Sequence, residues 1–201
     1  MGAKKTKLDS LEFSKILMNE GRRKWQDPDS IIEQIGITEG ATLVDLGCGP
    51  GYFTVAFSRA VGREGTVYAV DRDPVMIQEL RRNLSKLTPE TSGNVRIIEA
   101  DVLDTGIEEH CADVVFFAII LHDIEDKSRF FSEAFRIAKG QSSIFVDIDW
   151  QKSQMEVGPP LDRRLSESET RRILKENGLE IVHLINAGPY HYGFVAKRKS
   201  A

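Results

Sequence analysis

The run Val44-Asp45-Leu46-Gly47-Cys48-Gly49-Pro50-Gly51 decides the fold of this chain. An apolar stretch, Ala41 to Leu46, leads into three alternating glycines, and a helical pattern begins at Tyr52. Glycine at such a bend adopts backbone conformations closed to other residues and lets a ligand lie against the main chain. Twenty residues past Gly51, at the end of the next apolar stretch, stands Asp71. Together these features read as a nucleotide site at the carboxyl ends of parallel strands. The spacing departs from the dinucleotide fingerprint G-x-G-x-x-G: Gly47, Gly49 and Gly51 give G-x-G-x-G, with Tyr52 where the third glycine belongs.

Outward from this loop the chain alternates strand and helix patterns. Asp27-Pro28 reads as a cap and first helical residue, with Ile31, Ile32 and Ile35 as the apolar face and Gly36 as the stop. Strands are expected at Ala41 to Leu46, Thr66 to Asp71, Val95 to Glu99, Val114 to Ile120, Ser143 to Asp149, Glu180 to Asn186 and Tyr190 to Lys197. Helices fall between them: Tyr52 to Val61, one capped by Asp73-Pro74, one striped by Phe130, Phe131, Ala134, Phe135 and Ala138, and one opened by the capping box Ser166-x-x-Glu169 and ended by Gly178. The link Ala187-Gly188-Pro189 joins only antiparallel neighbours, whereas strands separated by helices run parallel. The expected fold is α/β, Rossmann-like and doubly wound: a mostly parallel seven-stranded sheet with a C-terminal antiparallel hairpin.

The chain has 201 residues, 41% hydrophobic and 29% charged, with a formal net charge of −4. This is the composition of an ordinary globular protein with a single substantial core. No apolar run is long enough to span a membrane, and Lys4, Lys5 and Lys7 precede no secretory apolar stretch. The two cysteines, Cys48 and Cys111, do not make a disulfide framework, and the cytoplasm is the expected compartment. The basic clusters Lys4-Lys5 and Lys197-Arg198-Lys199 read as solvated ends rather than a nucleic-acid footprint. No Cys/His cluster has metal-ligand spacing.

From about Trp25 to Lys199, and most specifically over Val44 to Gly51 with Asp71, the chain resembles the class I S-adenosylmethionine-dependent methyltransferases. Within them it resembles the group acting on small molecules that includes quinone-biosynthesis and arsenite methyltransferases. The resemblance implies a methyltransferase domain over 28–199, preceded by a helical segment, 1–27, that either forms a lid or packs as a surface helix. S-adenosyl-L-methionine is the implied cofactor, and a small-molecule acceptor the implied partner. The implied cofactor contacts are Asp45, Gly47, Cys48, Gly49 and Gly51 around the loop. Asp71 would hold both ribose hydroxyls, with the Arg72 backbone nearby. Asp101 and Val102 would meet the adenine, and the Phe117 backbone, with that of Ala118, would line the methionine end.

His122, the first ionisable residue past the fourth strand, is the candidate catalytic residue, placed to take up a proton. Each assignment has a structural counterpart. Asp45 would order the glycine loop, Asp71 cap the next helix, Asp101 form a turn, and His122-Asp123 cap a turn. Asp147, Asp149 and Trp150, with Tyr190, His191 and Tyr192, are acceptor-pocket candidates, the two tyrosines alternating away from His191. Ala138-Lys139-Gly140-Gln141 departs from the proline and glycine pair common in the family. There is no Asn-Pro-Pro-Tyr-like run for adenine amino methylation and no Pro-Cys nucleophile for cytosine methylation, and two cysteines are too few for an arsenic-binding thiolate site. Three rivals stand beside this reading: a protein or RNA methyltransferase, a nicotinamide oxidoreductase, and a non-catalytic binding module. Oligomeric state is left open.

Overall fold

The computed structural model describes residues 9–199. The N-terminal lysines Lys4, Lys5 and Lys7 lie outside the described residues. The sheet has seven strands: β1 (Thr42–Leu46), β2 (Thr66–Asp71), β3 (Val95–Glu99), β4 (Val114–Ala118), β5 (Ile144–Trp150), β6 (Leu179–Ile185) and β7 (His191–Arg198). Their spatial order is β3-β2-β1-β4-β5-β7-β6. The five strands from β3 to β5 pair in parallel. β7 is antiparallel to both β5 and β6, which is the expected hairpin. The order reverses between β1 and β4, so a crevice opens at their carboxyl ends.

Alternation along the strands distributes the core. Val44, Leu46, Val115, Phe117 and Phe145 join one cluster, under α6 (Lys127–Ile137) and α7 (Glu167–Glu176). Leu43, Phe116, Val146 and Ile148 join the other, under α2 (Pro28–Ile35) and α3 (Thr54–Ala60). A third cluster holds α4 (Pro74–Leu84) against the sheet through Ile77, Leu80 and Leu84. The short helix α5 (Pro89–Ser92) precedes β3. The capping box forms as expected, Ser166 accepting from the Glu169 N–H and Glu169 reaching back to the Ser166 N–H.

Three local features differ from the sequence expectation. β4 stops at Ala118 rather than Ile120 because Ile119 adopts φ +63°, the left-handed region that a β-branched residue resists. Asp27 precedes α2 but gives no side-chain cap; its carboxylate instead accepts from Arg23 at 3.1 Å. Tyr190 lies before β7, so alternation does not bind it to Tyr192. It meets Trp25 edge-on alongside His191, while Tyr192 reaches Thr170 on the opposite face.

The N-terminal segment comprises α1 (Ser10–Leu17) and a turn over Glu20–Lys24. α1 packs beside α4 and sets Leu17 near Gly49. The turn is anchored: Trp25 stacks on His191, and the backbone at Trp25 fits so closely against Gly188 that a Cβ there would lie 1.6 Å from the Trp25 carbonyl oxygen.

Candidate functional site

The glycine loop bends because all three glycines take positive φ: Gly47 +73°, Gly49 +53° and Gly51 +93°. Space reinforces the requirement at two of them. A Cβ on Gly47 would lie 2.5 Å from Ile120, and one on Gly51 would lie 2.4 Å from Leu80. The loop's N–H groups are then spent internally. Gly47 and Cys48 both donate to the Val70 carbonyl, at 2.8 and 2.9 Å. Gly49 donates to Asp71 Oδ2 at 2.8 Å, and Gly51 donates to the Cys48 carbonyl. Pro50 has no N–H.

Asp71 therefore does local work before any ligand arrives. Its second oxygen, Oδ1, accepts the Asp73 N–H at 2.9 Å, so one carboxylate ties the loop to the start of α4. Burial raises its pKa, an effect opposed by those backbone donors. The helix cap itself falls to Asp73, which accepts from the Val75 N–H. Asp45 is 2% exposed and accepts the Thr54 hydroxyl at 2.6 Å, linking β1 to α3 beneath the loop. Burial pushes its pKa to about 7. Cys48 is buried, and burial with the neighbouring Asp45 and Asp71 charges drives its pKa well up, so its thiol stays neutral.

Beside this loop lies a cleft of about 460 Å³, in the size range of small-molecule sites. Gly47, Asp71, Arg72, Asp101 and Val102 line one side. Ile120 and the stretch Asp123 to Asp126 line the other. Five of the expected cofactor residues thus converge on one cavity. Asp45, Cys48, Gly49, Gly51 and Phe117 do not line it: Asp45 supports the loop from behind, and the Phe117 ring sits edge-on against Phe130 and Phe131 in the core. Arg72 pairs with Asp101 at 3.4 Å, and Asp101 also caps its own turn by accepting the Leu103 N–H.

The sequence did not single out Ile120 or the acidic wall 123–126. The left-handed turn at Ile119 ends the strand and puts Ile120 against Gly47 at the cleft. The visible signal for the wall was the acid-rich Asp123-Ile124-Glu125-Asp126 itself. Asp126, rather than the His122-Asp123 pair, caps α6. The cleft lining carries five carboxylates, on Asp71, Asp101, Asp123, Glu125 and Asp126, against the single guanidinium of Arg72.

His122 lies one residue behind this wall, and its side chain is only 4% exposed. Its Nδ1 is 2.8 and 3.0 Å from the two oxygens of Asp149, and its backbone N–H also faces Asp149, at 3.3 Å. A carboxylate only accepts, so Nδ1 carries the proton and Nε2 keeps the free lone pair. Nε2 points toward Asp123, 3.6 Å away, and Asp123 is held by Arg163 at 2.6 Å. Burial alone would lower the imidazole pKa, but the Asp149 hydrogen bond and charge outweigh it and the net shift is upward.

Asp147, two residues before Asp149 on the same face of β5, is 1% exposed, with no partner for either oxygen among the described residues. Burial, and then the Asp149 charge, push its pKa well up. His191 is neutral: burial lowers its pKa to about 3 between Trp25 and Trp150. Among the described residues no group of His, Cys, Asp and Glu is arranged to hold a metal ion, and no helix is long and apolar enough to cross a membrane.

Comparison with known proteins agrees with this geometry. A family described as methyltransferase domain matches residues 37–186. The ubiquinone/menaquinone biosynthesis C-methyltransferase UbiE of Marinomonas sp. is 29% identical over 126 residues, which is 63% of this chain and 49% of that protein. Demethylmenaquinone methyltransferase of Staphylococcus aureus is 25% identical over 127 residues, 63% of this chain and 50% of that protein. The chain thus spans about half the length of the curated relatives it matches. A crystal structure of a SAM-dependent methyltransferase from Aquifex aeolicus superposes with a TM-score of 0.86 at 28% identity, covering 94% of this chain and 98% of that one.

Proposed function

The chain belongs to the methyltransferase-domain family, and from that premise we propose that it is an S-adenosylmethionine-dependent methyltransferase acting on a small molecule in the cytoplasm. The observation that carries the choice of cofactor is the exhaustion of the glycine loop's N–H groups by Val70, Asp71 and Cys48. A pyrophosphate needs those donors free. The acidic lining of the cleft repels a pyrophosphate further and suits a cationic sulfonium. The same acidity disfavours a phosphate-backbone acceptor.

The residues fit the cofactor. The unspent lone pairs of Asp71 accept ribose hydroxyls, Gly47 lets the ligand lie against the backbone, and Asp101 with the Val102 backbone meets the adenine. Asp45 and Cys48 support the loop from behind rather than touching the cofactor. When bound, the cofactor supplies an electrophilic methyl group. The chain's contribution is to hold the acceptor in line with it, a positioning effect that can carry much of the rate. Where the acceptor arrives protonated, His122 takes the proton on Nε2, and Asp149 fixes the tautomer and stabilises the imidazolium.

Calorimetry with both cofactors tests the reading. S-adenosylmethionine and S-adenosylhomocysteine are expected to bind and NAD not to bind; NAD binding without S-adenosylmethionine binding overturns it.

A further inference from the structure

The loop between β5 and α7 is built around Arg164, which is 4% exposed. Its guanidinium donates to four main-chain carbonyls of that loop: Nε to Pro159 at 2.8 Å, Nη1 to Gln151 and Ser153 at 3.2 and 3.1 Å, and Nη2 to Val157 at 2.8 Å. Gly158 presses on Trp150, so that a Cβ there would lie 2.8 Å from the indole ring. A loop held from inside in this way fixes where its last turn, Leu161–Arg163, ends. It brings Arg163 to Asp123 on the cleft wall.

One oxygen of Asp123 faces two groups. Arg163 Nη2 donates to Oδ1 at 2.6 Å, while His122 Nε2 stands 3.6 Å from that same atom, beyond hydrogen-bond length. The side chains of Arg163 and Asp123 are 58% and 50% exposed, so their pairing adds little to stability. Its consequence is positional. On the other side of the imidazole, Asp149 accepts the Nδ1 proton. A second carboxylate closing on Nε2 would accept a proton there too and hold the ring as imidazolium. An imidazolium has no lone pair with which to take a proton from an acceptor. The charged groups around the ring are thus Asp149 from β5, Asp123 from its own turn and Arg163 from the loop before α7. The two carboxylates favour the proton, and the guanidinium opposes it.

We propose that Arg163 is a positioning residue for His122: by holding Asp123 Oδ1 it keeps that carboxylate off Nε2 and leaves the imidazole a base. The inference rests on the reading of His122 above. It gives the β5–α7 loop a part in the chemistry through one ion pair.

NMR titration of His122 in the ligand-free protein tests it, with the resonances assigned by their absence from His122→Ala. In Arg163→Met the freed Asp123 should close on Nε2, and the titration midpoint should rise. At the wild-type midpoint the ratio of charged to neutral imidazole is expected to grow about three- to tenfold. Arg163→Lys, which keeps a cation beside Asp123, should retain most of the wild-type behaviour. Adding Asp123→Asn to Arg163→Met should cancel most of the rise, a rescue that lost packing alone would not show. Arg163→Ala gives a second route should Arg163→Met fail to fold. An unmoved midpoint in a folded variant overturns the inference. So does an equal rise in the double variant, because Arg163 would then act on the ring directly. Both results leave the proposed activity standing, since calorimetry on the wild type decides that separately.

Discussion

The Gly49 N–H donates to Asp71 Oδ2 at 2.8 Å, which ties the middle of the glycine loop to the acid ending the neighbouring strand. The other oxygen of Asp71 accepts from Asp73. One side chain therefore shapes the loop and, on the reading proposed here, also holds the ribose. Asp71→Ala should weaken S-adenosylmethionine by about 10–100-fold and also cost on the order of 1–3 kcal/mol of stability, because two backbone donors lose their partner. Calorimetry and urea denaturation read the two effects separately. Unchanged affinity with lowered stability would leave Asp71 a purely structural acid.

The His122–Asp149 pair sets a kinetic expectation. His122→Ala should lower the chemical rate by about 10²–10⁴-fold with S-adenosylmethionine affinity nearly unchanged. Asp149→Asn should lower the rate in the same direction by acting through His122, and it should also lower the imidazole pKa. NMR titration of the imidazole protons reads that shift. In the native protein the pKa is raised, so the stabilisation from this pair is complete below the free value of 6.5 and fades as pH rises through the folded value. Turnover retained in His122→Ala would leave positioning as the sole catalytic device.

Asp45 predicts a pH dependence of the same sign, from a carboxyl group rather than an imidazole. A free Asp loses its proton near 3.8, and Asp45 in the fold near 7. Between those values the native state holds a proton that the unfolded state has lost, so raising the pH costs native stability. The span is worth on the order of 4 kcal/mol at most. Asp45→Asn removes the titration. Its stability relative to wild type should climb from pH 4 to pH 7 and level off above, as read by denaturation at a series of pH values. A difference independent of pH would mean that Asp45 is ionised in the fold.

Gly188→Ala should loosen the N-terminal segment. The added Cβ would strike the Trp25 carbonyl oxygen, and the φ of +93° is unfavourable for alanine. Trypsin cleavage within Arg22-Arg23-Lys24 should accelerate several-fold while the sheet stays folded. Unchanged cleavage would show that the segment is held without this contact.

What the sequence alone determined was everything written in local periodicity. Strand and helix positions follow from the spacing of apolar residues, and the antiparallel ending from the shortness of Ala187-Gly188-Pro189. The glycine loop was legible because φ > 0 at Gly47, Gly49 and Gly51 is a requirement of residue type. Pairings between distant residues were not legible. His122 meets Asp149 because β4 and β5 are sheet neighbours and Ile119 bends the chain at the end of β4, neither of which local spacing encodes.

The tertiary structure likewise decided the division of labour among the acids. Asp45 and Asp71 are two strand acids of similar appearance in sequence. One is sealed under Thr54, while the other is left facing the cleft, because Asp45 stands in register with Ala69, two residues short of Asp71 at the end of its strand. Arg22 and Gln26 read as part of a polar N-terminal run. Only the packing of Arg22 against Tyr52 and its hydrogen bond to the Leu17 carbonyl bring this run into the interior.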